Sequence, residues 1–284
     1  MSWLITPSFT QWTPALLSTA LWLDANDSAT VIQSGGAITS WNDKSGNGRN
    51  ATADGNPTYS ATGMSTSKPA VQLDGTGDAF VSSITGIGSF NALDVYMVTQ
   101  TTAAAAADTN SAVFWGYGNV GSASGPYPVS RGLSIGSSTG AISGEFIVVL
   151  AEIPSITGRL GSSTYTRTSN TAQILNSRTA TTGSSLIANG TAVTLEITNQ
   201  ITTSTNTAPS SVGYTVDSNL HIGALRANGT LAYSPAIKFA EVIVSSTLLS
   251  TLDRQKLEGY LAHKWGLTAN LPAGHPYKIN PPAP

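Results

Sequence analysis

The sequence predicts an all-β chain, a two-sheet antiparallel sandwich closed by one C-terminal α-helix. Three observations carry this. Short runs of β-branched and aromatic residues recur along nearly the whole chain, and Gly, Asn, Asp and Ser punctuate them. One stretch, residues 250–265, places its apolar residues at helical spacing instead.

The strand candidates come in order. Ala20–Leu23, Ala70–Leu73, Val95–Val98, Val113–Trp115 and Phe146–Leu150 come first. Ala192–Ile197, Leu220–Gly223 and Phe239–Val244 follow. Some alternate apolar with polar residues, as half-buried strands do; others are apolar throughout, as central strands are. Between them, Asp74-Gly75-Thr76-Gly77-Asp78 combines glycines that accept positive φ with aspartates that close Asx turns. Asn189-Gly190 is a hairpin signal. The polar segments 118–125 and 202–210 read as loops, as does Ala103–Ala107.

Ser250 can cap the helix, with Asp253 at the capping-box position. Leu257, Tyr260, Leu261 and Trp265 share one face, and Arg254 and Glu258 form an i,i+4 pair on another, worth about 0.3 kcal/mol at a surface. His263 and Lys264 suit the negative end of the helix dipole, and Gly266 suits the left-handed cap. Gly259 costs about 1 kcal/mol against alanine, which a close approach to a sheet would justify. Pro272, Pro276 and the final Pro-Pro-Ala-Pro cannot pair in a central strand, so an extended surface tail is expected after the helix. Residues 15–284 read as one sandwich, preceded by an aromatic arm at residues 1–14.

Composition limits the function. Charged residues are 10% of the chain, against about 25% in ordinary globular proteins. Ser, Thr, Gly and Asn fill the difference. With a net charge of −2 and no Lys/Arg cluster, a nucleic-acid partner is not expected. No apolar run approaches the roughly 18 residues of a membrane span, so no membrane partner is expected either. The absence of cysteine excludes disulfides, thiolate metal sites and a cysteine nucleophile. The first residues lack a basic and then apolar leader, so no signal peptide is expected.

Several stretches resemble a known family. They are Leu21-Trp22-Leu23-Asp24-Ala25, Trp41-Asn42-Asp43-Lys44-Ser45-Gly46-Asn47-Gly48-Arg49-Asn50-Ala51 and Leu73-Asp74-Gly75 near the start. Near the end are Leu220–Gly223, the Glu241 strand, Arg254–Leu267 and His275-Pro276-Tyr277. Together these resemble laminin-G-like, concanavalin A-like jelly-roll domains, over roughly residues 15–280. Such domains occur in bacterial surface proteins and bacteriophage structural proteins. The resemblance implies a two-sheet jelly roll, and it implies fold more firmly than function.

Enzymes on that fold are glycoside hydrolases, which need two carboxylates about 5–5.5 Å apart for retention. Their Glu-x-Asp-x-x-Glu pattern is absent; Glu145, Glu152, Glu196, Glu241 and Glu258 stand singly. Glu241, alone in mid-strand, reads as a buried hydrogen-bond acceptor. No catalytic residue is assigned, and no cofactor is expected beyond calcium. For Ca²⁺, Asp24, Asp27, Asp74 and Asp78 are the candidate ligands, with Asx turns and strand caps as the alternative. Tyr117, Tyr127, Tyr165 and Arg167 are the candidate ligand contacts, suited to stacking on sugar rings. In the arm, Trp3, Phe9 and Trp12 either dock on a neighbouring subunit or fold back on their own sandwich.

These readings combine into a non-enzymatic structural or adhesive module, a bacteriophage virion component such as a capsid decoration, fibre or tail protein. Its partners would be other virion proteins or sister subunits, and its location the virion or an extracellular surface. A glycan-binding, lectin-like module with a cell-surface glycan as partner is the second reading; a glycoside hydrolase is the third.

Overall fold

In the computed structural model the described residues are 11–83, 92–102, 112–117, 131–136, 145–149, 159–162, 168–180, 185–197, 219–227, 230–232 and 234–284. The strands of the first third are β1 (Leu21–Asp24), β2 (Val31–Ser34), β3 (Ala37–Trp41), β4 (Ala51–Asp54), β5 (Thr58–Ser60), β6 (Ala70–Asp74) and β7 (Ala79–Ser83). Next come β8 (Ala92–Thr101), β9 (Ala112–Tyr117), β10 (Arg131–Gly136), β11 (Glu145–Val149) and β12 (Arg159–Ser162). The remainder are β13 (Gln173–Ala180), β14 (Ser185–Ala188), β15 (Thr191–Val193), β16 (Glu196–Ile197), β17 (Asn219–Ile222), β18 (Leu225–Ala227), β19 (Thr230–Ala232) and β20 (Ala236–Ser245). Helix α1 (Thr251–Trp265) follows.

Two antiparallel sheets make the sandwich. The first runs β15-β14-β13-β8-β20-β6-β5; the second runs β16-β12-β11-β10-β9-β17-β7-β4-β3-β2. β20 is central to the first, and its far edge is divided. β6 pairs with Ala236–Phe239 and β1 with Glu241–Val244. Register and burial place Leu93, Val95, Met97, Leu175, Ile237 and Phe239 toward the second sheet. Phe80, Trp115, Leu133 and Ile222 answer from the other side, all at most 1% exposed. Trp41 meets Phe80 edge-on at 5.7 Å, the geometry that ring quadrupoles favour.

The first sheet is covered on its other face too, by α1 and the segments around it. That is why β8 is buried along nearly its whole length and why Val95–Val98 is apolar at four positions in a row.

The turn chemistry follows the sequence. Asn189 and Gly190 take φ of 49° and 78°, joining β14 to β15. The Asp74–Asp78 turn is a corner between sheets, since β6 and β7 belong to different ones; the Thr76 amide donates to Asp74 Oδ1 there. Residues 192–197, by contrast, do not form the single strand expected. β15 lies in the first sheet and β16 in the second, so the chain changes sheets at Thr194 and Leu195. The expected loops at 103–107, 118–125 and 202–210 lie outside the described residues.

α1 begins as anticipated: the Asp253 amide donates to Ser250 Oγ at 3.1 Å. It ends at Gly266 with φ 73°. The tail departs from expectation. It folds back through successive turns, with the His275 amide donating to the Pro272 carbonyl and the Lys278 amide to the His275 carbonyl. Leu271 and His275 are buried. Prolines 272 and 276 exclude a strand, and turns satisfy the backbone instead. Gly259 faces this tail and not the sheet; a Cβ there would lie 2.3 Å from Tyr277 Cβ. Arg254 and Glu258 pair as foreseen, but away from solvent. Glu258 is 1% exposed and also meets His275 at 3.1 Å. The tail covers what looked like a surface face.

Candidate functional site

The clearest constellation of charged groups lies where β1, β20 and α1 meet. A β-bulge creates it. Along β20, Phe239 sits opposite Thr99 and Glu241 opposite Val98, so the register shifts by one residue at Ala240. Without that shift Glu241 would share Phe239's face, toward the second sheet. The bulge turns it under α1 instead, one of the uses bulges have beside special side chains. Asp24 is in register with Glu241 across the strand pair, which brings the two carboxylates to the same face.

Glu241 has no solvent exposure and is heavily bonded. The Trp22 indole donates to Oε1 at 2.7 Å. The Trp265 indole donates to Oε2 at 2.6 Å, and Lys264 Nζ donates to the same oxygen at 2.8 Å. The expectation of a buried hydrogen-bond acceptor is met. Burial raises the Glu241 pKa, partly countered by the Lys264 charge.

Lys264 joins the second carboxylate as well, with Nζ 2.7 Å from Asp24 Oδ1. Its ammonium also stands 5.2 Å from the ring centroids of Tyr260 and Trp265. Sequence reasoning placed Lys264 only at the helix dipole. Its place in the Ala262-His263-Lys264-Trp265 stretch was the available signal. Lys44 lies 2.9 Å from both Asp24 Oδ2 and Asp27 Oδ2 and stacks over Trp22 at 4.8 Å. Desolvation pulls the Lys44 pKa down, but bonds and charges from Asp24 and Asp27 outweigh it and hold the value above the ordinary lysine range.

The Trp41–Ala51 motif is a clamp on β1. Asp43 accepts from the amides of Trp22, Ser45 and Arg49, at 3.0, 2.8 and 3.0 Å. The Asn47 side-chain amide and the Arg49 guanidinium donate to the Ala20 carbonyl, at 3.3 and 2.7 Å. This explains so polar a run so near the core: Asp43, Asn47 and Arg49 answer backbone atoms of Ala20 and Trp22, Lys44 bonds to Asp24 and Asp27, and Asn50 bonds within the run.

A second buried acid, Asp94, faces α1 from β8. It accepts from the Asn176 side chain and from the Leu249 amide, and Arg178 lies 3.2 Å away. Burial raises its pKa, and Arg178 opposes the rise.

The calcium candidates are thus accounted for by other partners. Asp24 and Asp27 hold Lys44 between them, where a cation would sit. Asp74 and Asp78 spend oxygens on backbone amides at the corner, Asp78 accepting from Asn56 at 2.7 Å and from Asp74 at 3.2 Å. The two pairs do not converge. Among the described residues no three His, Asp or Glu side chains come together to hold a metal. The Asx-turn alternative describes Asp74, and ion pairing describes Asp24 and Asp27.

Of the ligand-contact candidates, the Tyr117 backbone ends β9, in register with Leu220 and Arg131. Tyr127, Tyr165 and Arg167 lie outside the described residues, as do Trp3, Phe9 and Glu152. Trp12 is inside the fold, 2% exposed and edge-on to Tyr260 at 5.9 Å. Its indole is committed to its own helix, where burial needs no neighbour.

No protein-family model matches the sequence, and no curated protein matches it. Among solved structures, the fold is similar to Trypanosoma rangeli sialidase. A mutant displaying trans-sialidase activity matches with a TM-score of 0.59 at 13% identity, over 90% of this chain and 36% of that one. The binding domain of botulinum neurotoxin serotype D/C matches with 0.54 at 10% identity, over 86% and 52%. This chain therefore spans about a third of the sialidase and about half of the toxin domain. At such identities the likeness is one of β-sandwich fold.

Proposed function

We propose that this chain is a non-enzymatic structural or adhesive module, a bacteriophage virion component that works through protein–protein contacts. One observation carries the non-enzymatic part. Among the described residues, the buried acids Asp24, Asp94, Glu241 and Glu258 are each bonded to a cationic side chain beneath or beside α1, and Asp78 is bonded to backbone amides. An acid so held orients structure, and a hydrolase needs a carboxyl pair open to a sugar. The virion assignment rests on the resemblance to jelly-roll modules of phage particles and on the hydroxyl-rich, weakly charged composition. Trp3 and Phe9 are the proposed docking anchors, and the virion or another extracellular surface is the proposed location.

A glycan-binding module is the second reading. Similar folds include a sialidase solved with sialic acid and a toxin binding domain solved with rat synaptotagmin II. Tyr117, Tyr127, Tyr165 and Arg167 are its proposed contacts.

Three measurements on the purified chain test both. The expected results are no reducing-sugar release from polysaccharides, no saturable binding on a glycan array, and assembly that is lost when residues 1–10 are deleted. That deletion removes Trp3 and Phe9 and keeps Trp12 on Tyr260. Sugar release overturns the non-enzymatic reading. Saturable glycan binding abolished by Tyr127→Ala replaces it with the second.

A further inference from the structure

We infer that Lys264 and Asp24 are the two ends of an intramolecular amide cross-link, formed autocatalytically with Glu241 as the proton carrier. The inference does not depend on what the loops bind. It rests on three side chains from three elements meeting at one point. Lys264 Nζ is 2.7 Å from Asp24 Oδ1 and 2.8 Å from Glu241 Oε2. The Asp24 side chain is 4% exposed, Glu241 0% and Lys264 14%. Trp22, Tyr260 and Trp265 wall the group, and the Tyr260 hydroxyl stands 3.1 Å from Nζ.

The chemistry is a condensation. One proton passes from the ammonium to the Asp24 carboxylate, giving the free amine and the carboxylic acid that react. The Nζ lone pair then adds to Asp24 Cγ, and the N–C bond forms. Glu241 takes the surplus proton from nitrogen and delivers it to the Cγ hydroxyl. The C–O bond breaks, and one water leaves. Atoms and charge balance without an oxidant, a metal or a co-substrate.

Three features favour the step. Amine and acid are held in contact, which raises their effective concentration far above anything reached in solution. Glu241 touches the nucleophile and stands beside Asp24 in strand register. Its raised pKa suits a group that must both take and give a proton. Lys44 also touches Asp24, but it is 24% exposed and its other carboxylate, Asp27, is 39% exposed. Water competes there, and no buried acid serves it.

The product would tie β1 to the last turn of α1. A single covalent bond would then hold the first strand to the helix that follows β20, a useful property in a module that carries load between partners.

Intact-mass measurement of the full-length, purified, denatured chain is the test. The expected mass is one water below that of the sequence, with a branched proteolytic peptide joining the segments that contain Asp24 and Lys264. Lys264→Arg should restore the full mass. Glu241→Gln should slow linkage on the order of 100-fold, with folding checked by circular dichroism. A wild-type chain that is folded at neutral pH and keeps its full mass overturns the inference and leaves an ion pair. A water loss mapped to any other residue pair, including Asp24 with Lys44, overturns it equally.

Discussion

Replacing Trp265 with phenylalanine separates one bond of the buried cluster from the packing around it. Trp265 is 1% exposed, and its indole donates to Glu241 Oε2 at 2.6 Å. Alanine at this position would lose the packed ring, about 3–5 kcal/mol, and the bond to a charged acceptor, about 1.5–3 kcal/mol. The sum is comparable to the whole stability of a typical domain, so the alanine variant would report only that the protein fails to fold. Phenylalanine keeps most of the ring. It costs about 1 kcal/mol in lost area plus the bond, about 2.5–4 kcal/mol together. Equilibrium denaturation in urea, comparing midpoints at equal slope, measures the difference. Wild type and variant should be compared at the same intact-mass state. A loss under about 1 kcal/mol would refute the reasoning, because it would mean that Glu241 does not depend on the indole.

Two further outcomes follow from the same contacts. His275→Ala should cost about 1.5–3 kcal/mol, the worth of a hydrogen bond to a charged group, and should make residues 268–284 more sensitive to limited proteolysis; unchanged proteolysis would mean that Glu258 does not anchor the tail. The pH dependence has an unusual sign. Burial raises the folded-state pKa of Glu241, Asp94 and Asp78. Between the ordinary carboxylate values and those raised values the folded state binds more protons than the unfolded one. Stability from these groups therefore falls as pH rises through that window and returns on acidification. The melting temperature at about pH 5 should be at least that at about pH 8, and a steady fall toward acid would contradict it.

Much of this fold is legible in the chain because its signals are local. The Asn189-Gly190 turn, the Ser250 cap, the Gly266 stop and the apolar stripe of α1 each depend on residues a few positions apart. The cluster is not local. Trp22 and Glu241 are 219 positions apart, and no spacing within either strand announces the other. The bulge at Ala240 is hidden for a related reason, since a period-2 pattern in Phe239–Val244 allows two registers and only the partner strands choose. The Arg254–Glu258 pair forms as expected, but its burial and the turned path of the tail come together. Nothing local in the chain signals that residues 271–278 turn back over this helix face, because the contact of His275 with Glu258 spans 17 positions.

The place of β1 in the sheet also governs when the protein can fold. β1 is made long before the strand it pairs with, β20, and the helix that covers its Trp22 and Asp24; 219 positions separate Trp22 from Glu241. At ribosomal rates of about 5–20 residues per second, the intervening chain takes on the order of tens of seconds to appear. For that interval Leu21, Trp22 and Leu23 are an unpaired apolar strand, a feature that chaperones bind and that aggregation exploits. Refolding from denaturant faces the same closure in one step, so a slow phase set by this long-range pairing is built into the topology. β1 is made long before it can be placed.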